Sequence, residues 1–181
     1  MVGLLSRWPK FQSRPKVVGP SSVVNELTAV WALRGPEEGE SSWLSHRRRV
    51  GNRAELYSFQ RERSEAQDPS AIAWVSKDSD RLGWDIEDRT KTPYRRIEVK
   101  GSGGESPVFF LSENEWRQAS IHGANYEVQF WGNIDLHREE PSEYASLRAV
   151  GFPIVVSNIC DKIASGEWVA TPVQWRIAPT P

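Results

Sequence analysis

Apolar side chains recur along this chain at two spacings, and the switch between them divides it into elements. Val23, Val24, Leu27, Val30 and Trp31 share one face of a predicted helix over 21–33, capped by Ser21 or Ser22 and stopped by Gly35-Pro36. The proline-rich, basic stretch before it reads as an extended arm, and residues 37–42 read as a polar linker. Val50, Ala54, Leu56, Tyr57 and Phe59 predict a second helix from about Val50 to Glu65. The period then shortens. Residues 71–76, 83–87 and 94–100 read as three strands, separated by an Asp- and Ser-rich turn and by Thr92-Pro93. Gly101-Ser102-Gly103-Gly104 is expected to be a flexible loop, and residues 108–111 a short extended piece. Ser112-Glu113-Asn114-Glu115 has the form of a capping box, so a helix is expected to start there and to close at Gly123. Residues 126–131 follow as a strand, 142–150 as a short helix and 153–156 as a last strand, with Trp168 and Trp175 in a tail of turns. Helix, three strands, helix and strand make a mixed α/β order.

Composition changes this picture little until it is resolved by position. The 181 residues carry 23 basic and 24 acidic side chains, which on average argues against a nucleic-acid partner. By segment, however, residues 1–53 carry +5, residues 54–104 carry −1 and residues 105–181 carry −5. The basic excess is concentrated at Arg47-Arg48-Arg49 and Arg53, at the predicted start of the second helix, where phosphate contact is favoured. One cysteine, Cys160, leaves no internal disulfide, and three histidines without metal spacing leave no Cys- or His-rich zinc site. No apolar run reaches the ~20 residues of a membrane span, and the start of the chain is too broken for a secretory signal. The expectation is a cytoplasmic protein with no membrane partner. Trp84, Trp116 and Trp131 are expected in the core, and His46, His122 and His137 as surface or satisfied polar groups.

The candidate chemistry lies on the second and third strands. Glu98 and Lys100 project from one face of an alternating strand, and a short connection makes Asp85 its neighbour. Paired carboxylates repel, and a hard divalent cation relieves that repulsion while polarising a phosphoryl oxygen. Lys100 beside it could stabilise developing negative charge. The same pattern also fits the solvated face of an edge strand formed by Arg96, Glu98 and Lys100.

Gly83-Trp84-Asp85-Ile86, then Ile97-Glu98-Val99-Lys100, resembles the PD-(D/E)XK nuclease pattern. With Gly51-Asn52-Arg53-Ala54-Glu55 upstream and Phe109-Phe110-Leu111-Ser112-Glu113-Asn114-Glu115-Trp116 downstream, it is more narrowly similar to the NO VEIN C-terminal domain family. The resemblance covers roughly residues 45–135. It implies a restriction-endonuclease-like α/β core, a mixed β-sheet flanked by helices, with an N-terminal helical extension over 1–44 and an elaboration over 136–181. It implies Asp85 and Glu98 as ligands of Mg²⁺ (or Mn²⁺), Lys100 as the catalytic lysine and Glu55 as an accessory ligand or a residue that orients water. Gln129 is an accessory polar candidate on the following strand.

The expected activity is Mg²⁺-dependent endonucleolytic hydrolysis of DNA, in a bacterial restriction or phage-defence setting. RNA is not separated from DNA by the sequence. A homodimer and a helicase-like or other defence-system protein are the expected partners. The competing expectation is a non-cleaving DNA-recognition or scaffold module on the same fold.

Overall fold

The period-two stretches assemble into one mixed sheet in the computed structural model, which describes residues 38–79, 81–140 and 151–171. Helix α1 (Glu38–Glu65) leads into β1 (Ile72–Trp74), β2 (Ile86–Asp88) and β3 (Arg95–Gly101). Helix α2 (Glu113–His122), β4 (Tyr126–Trp131), β5 (Ile154–Ser157) and α3 (Ile159–Ala164) complete the described elements. Strand order follows the chain, β1-β2-β3-β4-β5. Only β3 and β4 run parallel among the described pairs, and α2 supplies the crossover such a pair needs. From Leu44 onward the chain forms one compact unit, and before it only the opening turns of α1 are described. The predicted arm, the helix over 21–33, the helix over 142–150 and Trp175 lie outside the described residues.

Helices cover both faces of the sheet. Val50, Ala54 and Tyr57 of α1 pack on Ile72, Ile86, Ile97, Val99 and Trp131. The Trp131 indole N–H donates to Ser58 Oγ at 2.7 Å, which satisfies two polar groups inside that layer. On the opposite face Ala119 of α2 and Ile159 of α3 close over Tyr126, Val128 and Val156. Trp131 is therefore core, as expected, and no described helix is long and apolar enough to cross a membrane.

Three expectations need correction. Helix α1 begins at Glu38, so the stretch read as a linker is its first turns. Pro36 followed by Glu37, Glu38 and Glu40 is a residue set that helix N-termini favour, through a fixed φ and the macrodipole. Gly101 is the last residue of β3 rather than loop, held where a Cβ would meet the Ala54 Cβ at 2.8 Å and the Val50 carbonyl at 2.9 Å. Helix α3 stands where turns were expected: one buried residue, Ile159, leaves no periodic trace.

Candidate active site

Strand β2 is three residues long, and Asp85 sits on the bend just before it. The Asp85 amide donates to Ile97 O at 2.9 Å, and its carbonyl accepts from Val75 N at 2.8 Å and Ser76 N at 3.2 Å. Its backbone is thus tied to the end of β1 and to β3 together. The carboxylate then accepts the Val99 amide at 2.7 Å. Since Ile86 faces Ile97 across the ladder, Asp85 falls opposite Glu98, as the sequence predicted. Gly83, with φ +82°, makes the preceding turn against Asn114 of α2, where a side chain would collide.

β3 is the central strand, so its solvated-edge reading fails: Glu98 is 4% exposed. Lys100 Nζ lies 2.6 Å from Glu98 Oε1 and 3.0 Å from Glu115 Oε2. Asp85, Glu98 and Glu115, with Ser76, Gly83 and Trp84, line a cleft of about 180 Å³. Glu55 stands behind it, accepting from Trp74 Nε1 at 2.9 Å and from Ser76 Oγ at 2.6 Å. Four side chains named from the sequence, Glu55, Asp85, Glu98 and Lys100, therefore converge.

Their electrostatics follow from burial. Desolvation pushes the Asp85 carboxyl up to about 7, helped by the charge of Glu55 and opposed by the Val99 amide and Lys100. Desolvation and then Asp85 push Glu98 well above the ordinary carboxylate range, against the pull of Lys100. Burial alone would lower the proton affinity of Lys100, but Glu98 and Glu115 outweigh it, so the ammonium is held. Burial also raises Tyr126, whose hydroxyl donates to Gly83 O at 2.8 Å and braces the turn before Asp85.

Among the described residues no three His, Cys, Asp or Glu side chains are grouped to hold a metal ion by themselves. Asp85 and Glu98 each have one oxygen engaged, by the Val99 amide and by Lys100. A buried carboxylate, Glu98, whose proton affinity the neighbouring Asp85 raises, fits with it a Mg²⁺-type ion, which takes one or two carboxylates and completes its shell with water and phosphate.

The remaining candidates separate. Arg47, Arg48 and Arg49 are exposed on α1, within the helix rather than ahead of it. Arg48 and Asn52 lie on the same helical stripe as Glu55. Arg53 is instead buried at 6% exposure, donating to Arg138 O at 3.0 Å and to Glu140 at 3.4 Å. It holds the fold and is not placed to grip phosphate. Gln129 pairs with Val99, not Glu98, and so faces the other side of the sheet. There it donates to Glu62 at 2.7 Å and Glu127 at 2.9 Å, acids that also pair with Arg95. His122 is half-buried: it meets Trp84 edge-on at 5.6 Å, and burial and Arg96 lower its proton affinity. Sequence reasoning missed Ser76 and Glu115; the capping box marked Glu115, but only as a cap.

No curated protein and no solved structure gives a match to this chain. One family model does, described as Protein NO VEIN, C-terminal, and the segment it matches carries Glu55, Asp85, Glu98, Lys100 and Glu115. Residues 53–133, the sheet-and-helix core that builds the cleft, match the model of the Protein NO VEIN, C-terminal family.

Proposed function

We propose that this domain hydrolyses DNA phosphodiester bonds with Mg²⁺ or Mn²⁺, as an endonuclease of a bacterial restriction or phage-defence system. The observation that carries the reading is the convergence of Asp85 and Glu98 in one cleft, with Lys100 held charged between Glu98 and Glu115. Asp85 and Glu98 would hold the ion, which when bound supplies Lewis-acid polarisation of a phosphoryl oxygen. The Lys100 ammonium stabilises negative charge building on the phosphoryl oxygens, in a site whose buried walls strengthen that interaction. Glu55 fixes Ser76, and through it one wall of the cleft. Arg48, on the stripe of α1 that carries Glu55, and its neighbours Arg47 and Arg49 are exposed, and their fixed charge favours phosphate. One such site per chain cuts one strand, so double-strand cleavage calls for a two-fold pair of chains.

The test uses plasmid, linear and single-stranded DNA, and RNA, with Mg²⁺, Mn²⁺ or EDTA. Metal-dependent cutting by the wild type is expected, reduced at least about 100-fold in Asp85→Ala, Glu98→Ala and Lys100→Ala. Equal nicking by wild type and variants would mean a contaminating nuclease. Metal-independent binding without any cutting would leave the non-cleaving recognition module as the correct reading.

A further inference from the structure

Lys100 has two anionic partners, and only Glu98 comes from its own strand. The other, Glu115, is the third residue of α2, where it completes a capping box with Ser112. A single oxygen, Oε2, accepts the Ser112 amide at 2.7 Å and the Lys100 ammonium at 3.0 Å. The Ser112 hydroxyl accepts the Glu115 amide in return, which fixes the backbone of that turn. Glu115 is half-buried and lines the cleft with Asp85 and Glu98. An N-terminal helix end repels an ammonium through its dipole, so a carboxylate is needed between them.

The geometry points to Glu115 as the positioning residue of Lys100: it ties the ammonium to the first turn of α2 and sets its place in the cleft. This role rests on the nuclease reading above. Without Glu115 the ammonium would be drawn to Glu98 alone, a residue assigned to the metal. Charge-assisted bonds to two carboxylates hold it off that single partner.

Capping and positioning are separable, because glutamine at this helix position also caps. Glu115→Gln keeps the Ser112 bond and removes the charge facing Lys100, while Glu115→Ala removes both. In Glu115→Gln, kcat for DNA cleavage should fall about 10-fold with KM within about two-fold, and Tm should stay within about 1 °C. Glu115→Ala should lose the same activity and in addition about 2–4 °C in Tm. In the metal-free protein, the Lys100 side-chain ammonium resonance, assigned by its loss in Lys100→Ala, should shift or broaden in Glu115→Gln. Wild-type kcat in Glu115→Gln, or an unmoved Lys100 resonance, overturns the assignment. If the wild type cuts nothing, the nuclease reading fails, and the ammonium spectrum alone decides whether Glu115 positions Lys100.

Discussion

Asp85 is protonated over a pH range in which an exposed aspartate is fully ionised. Burial is the main cause, and it pushes the carboxyl from 3.8 to about 7. Above its ordinary value an acid binds protons more tightly folded than unfolded, so its contribution to stability is complete below about pH 4 and is lost as the pH rises through about 7. In EDTA the protein should therefore lose stability between those limits. Asp85→Asn, which carries no charge to desolvate, should melt about 3–6 °C above wild type at pH 8, and the gap should close toward pH 4.5. Thermal unfolding followed by circular dichroism across that range checks this; a gap that does not change with pH would contradict it. Such a group is what a functional cleft produces when selection favours function over stability. At this scale the sequence was legible where alternation decides a face: Asp85, Glu98 and Lys100 fell together. The same parity, applied across the β3–β4 ladder, places Gln129 on the far face, but that requires a register no single strand contains. Arg53 had its own signal, three residues after Val50 on the buried stripe of α1. Its charge, read within a basic run, concealed it.

Local chemistry marks some elements sharply, and packing decides others. The cap Ser112 and the closing Gly123 bound α2 as expected, because both act through their own turns. β4 likewise spans Tyr126–Trp131 as its pattern required. The start of α1 and all of α3 escaped the apolar period, since polar first turns and a six-residue helix leave none. Only the proline and glutamates around its first turn marked the start of α1. The glycines after Lys100 were open to misreading for a different reason. Glycine signals either conformational freedom or close approach, and only the neighbouring helix tells which. At Gly101 it is close approach: Val50 O is backbone and cannot swing aside. Gly101→Ala should cost about 1–3 kcal/mol of stability by forcing α1 from β3, measured by urea unfolding. Because Lys100 is its neighbour, the same substitution should lower cleavage more than it lowers DNA binding. Wild-type stability in this variant would show that the contact yields freely.

At the scale of the whole molecule, the near-neutral charge resolves into surfaces with separate tasks. Arg48 and Arg49 are exposed on the helix that carries Glu55, whereas Arg53 serves the interior. Arg48→Ala and Arg49→Ala should leave Tm unchanged and weaken DNA binding, each reducing the slope of log affinity against log salt by about 1. Arg53→Ala should do the reverse, losing about 1–3 kcal/mol of stability with an unchanged salt slope. Fluorescence anisotropy over a salt series, beside a melting curve, separates the two groups. A changed salt slope in Arg53→Ala would return it to the DNA-contact set. Strand β3 has a further consequence. It is flanked on both sides by other strands, covered on both faces, and anchored at Arg95 by pairs to Glu62, Asp88 and Glu127. No partial fraying of the domain frees it, so its amides can exchange with solvent only when the fold as a whole opens. Hydrogen–deuterium exchange should find Ile97, Glu98 and Val99 among the slowest amides, with protection that tracks global stability. The cleft is then set before any ligand arrives, and whatever a ligand must order on binding is confined to the segments around it.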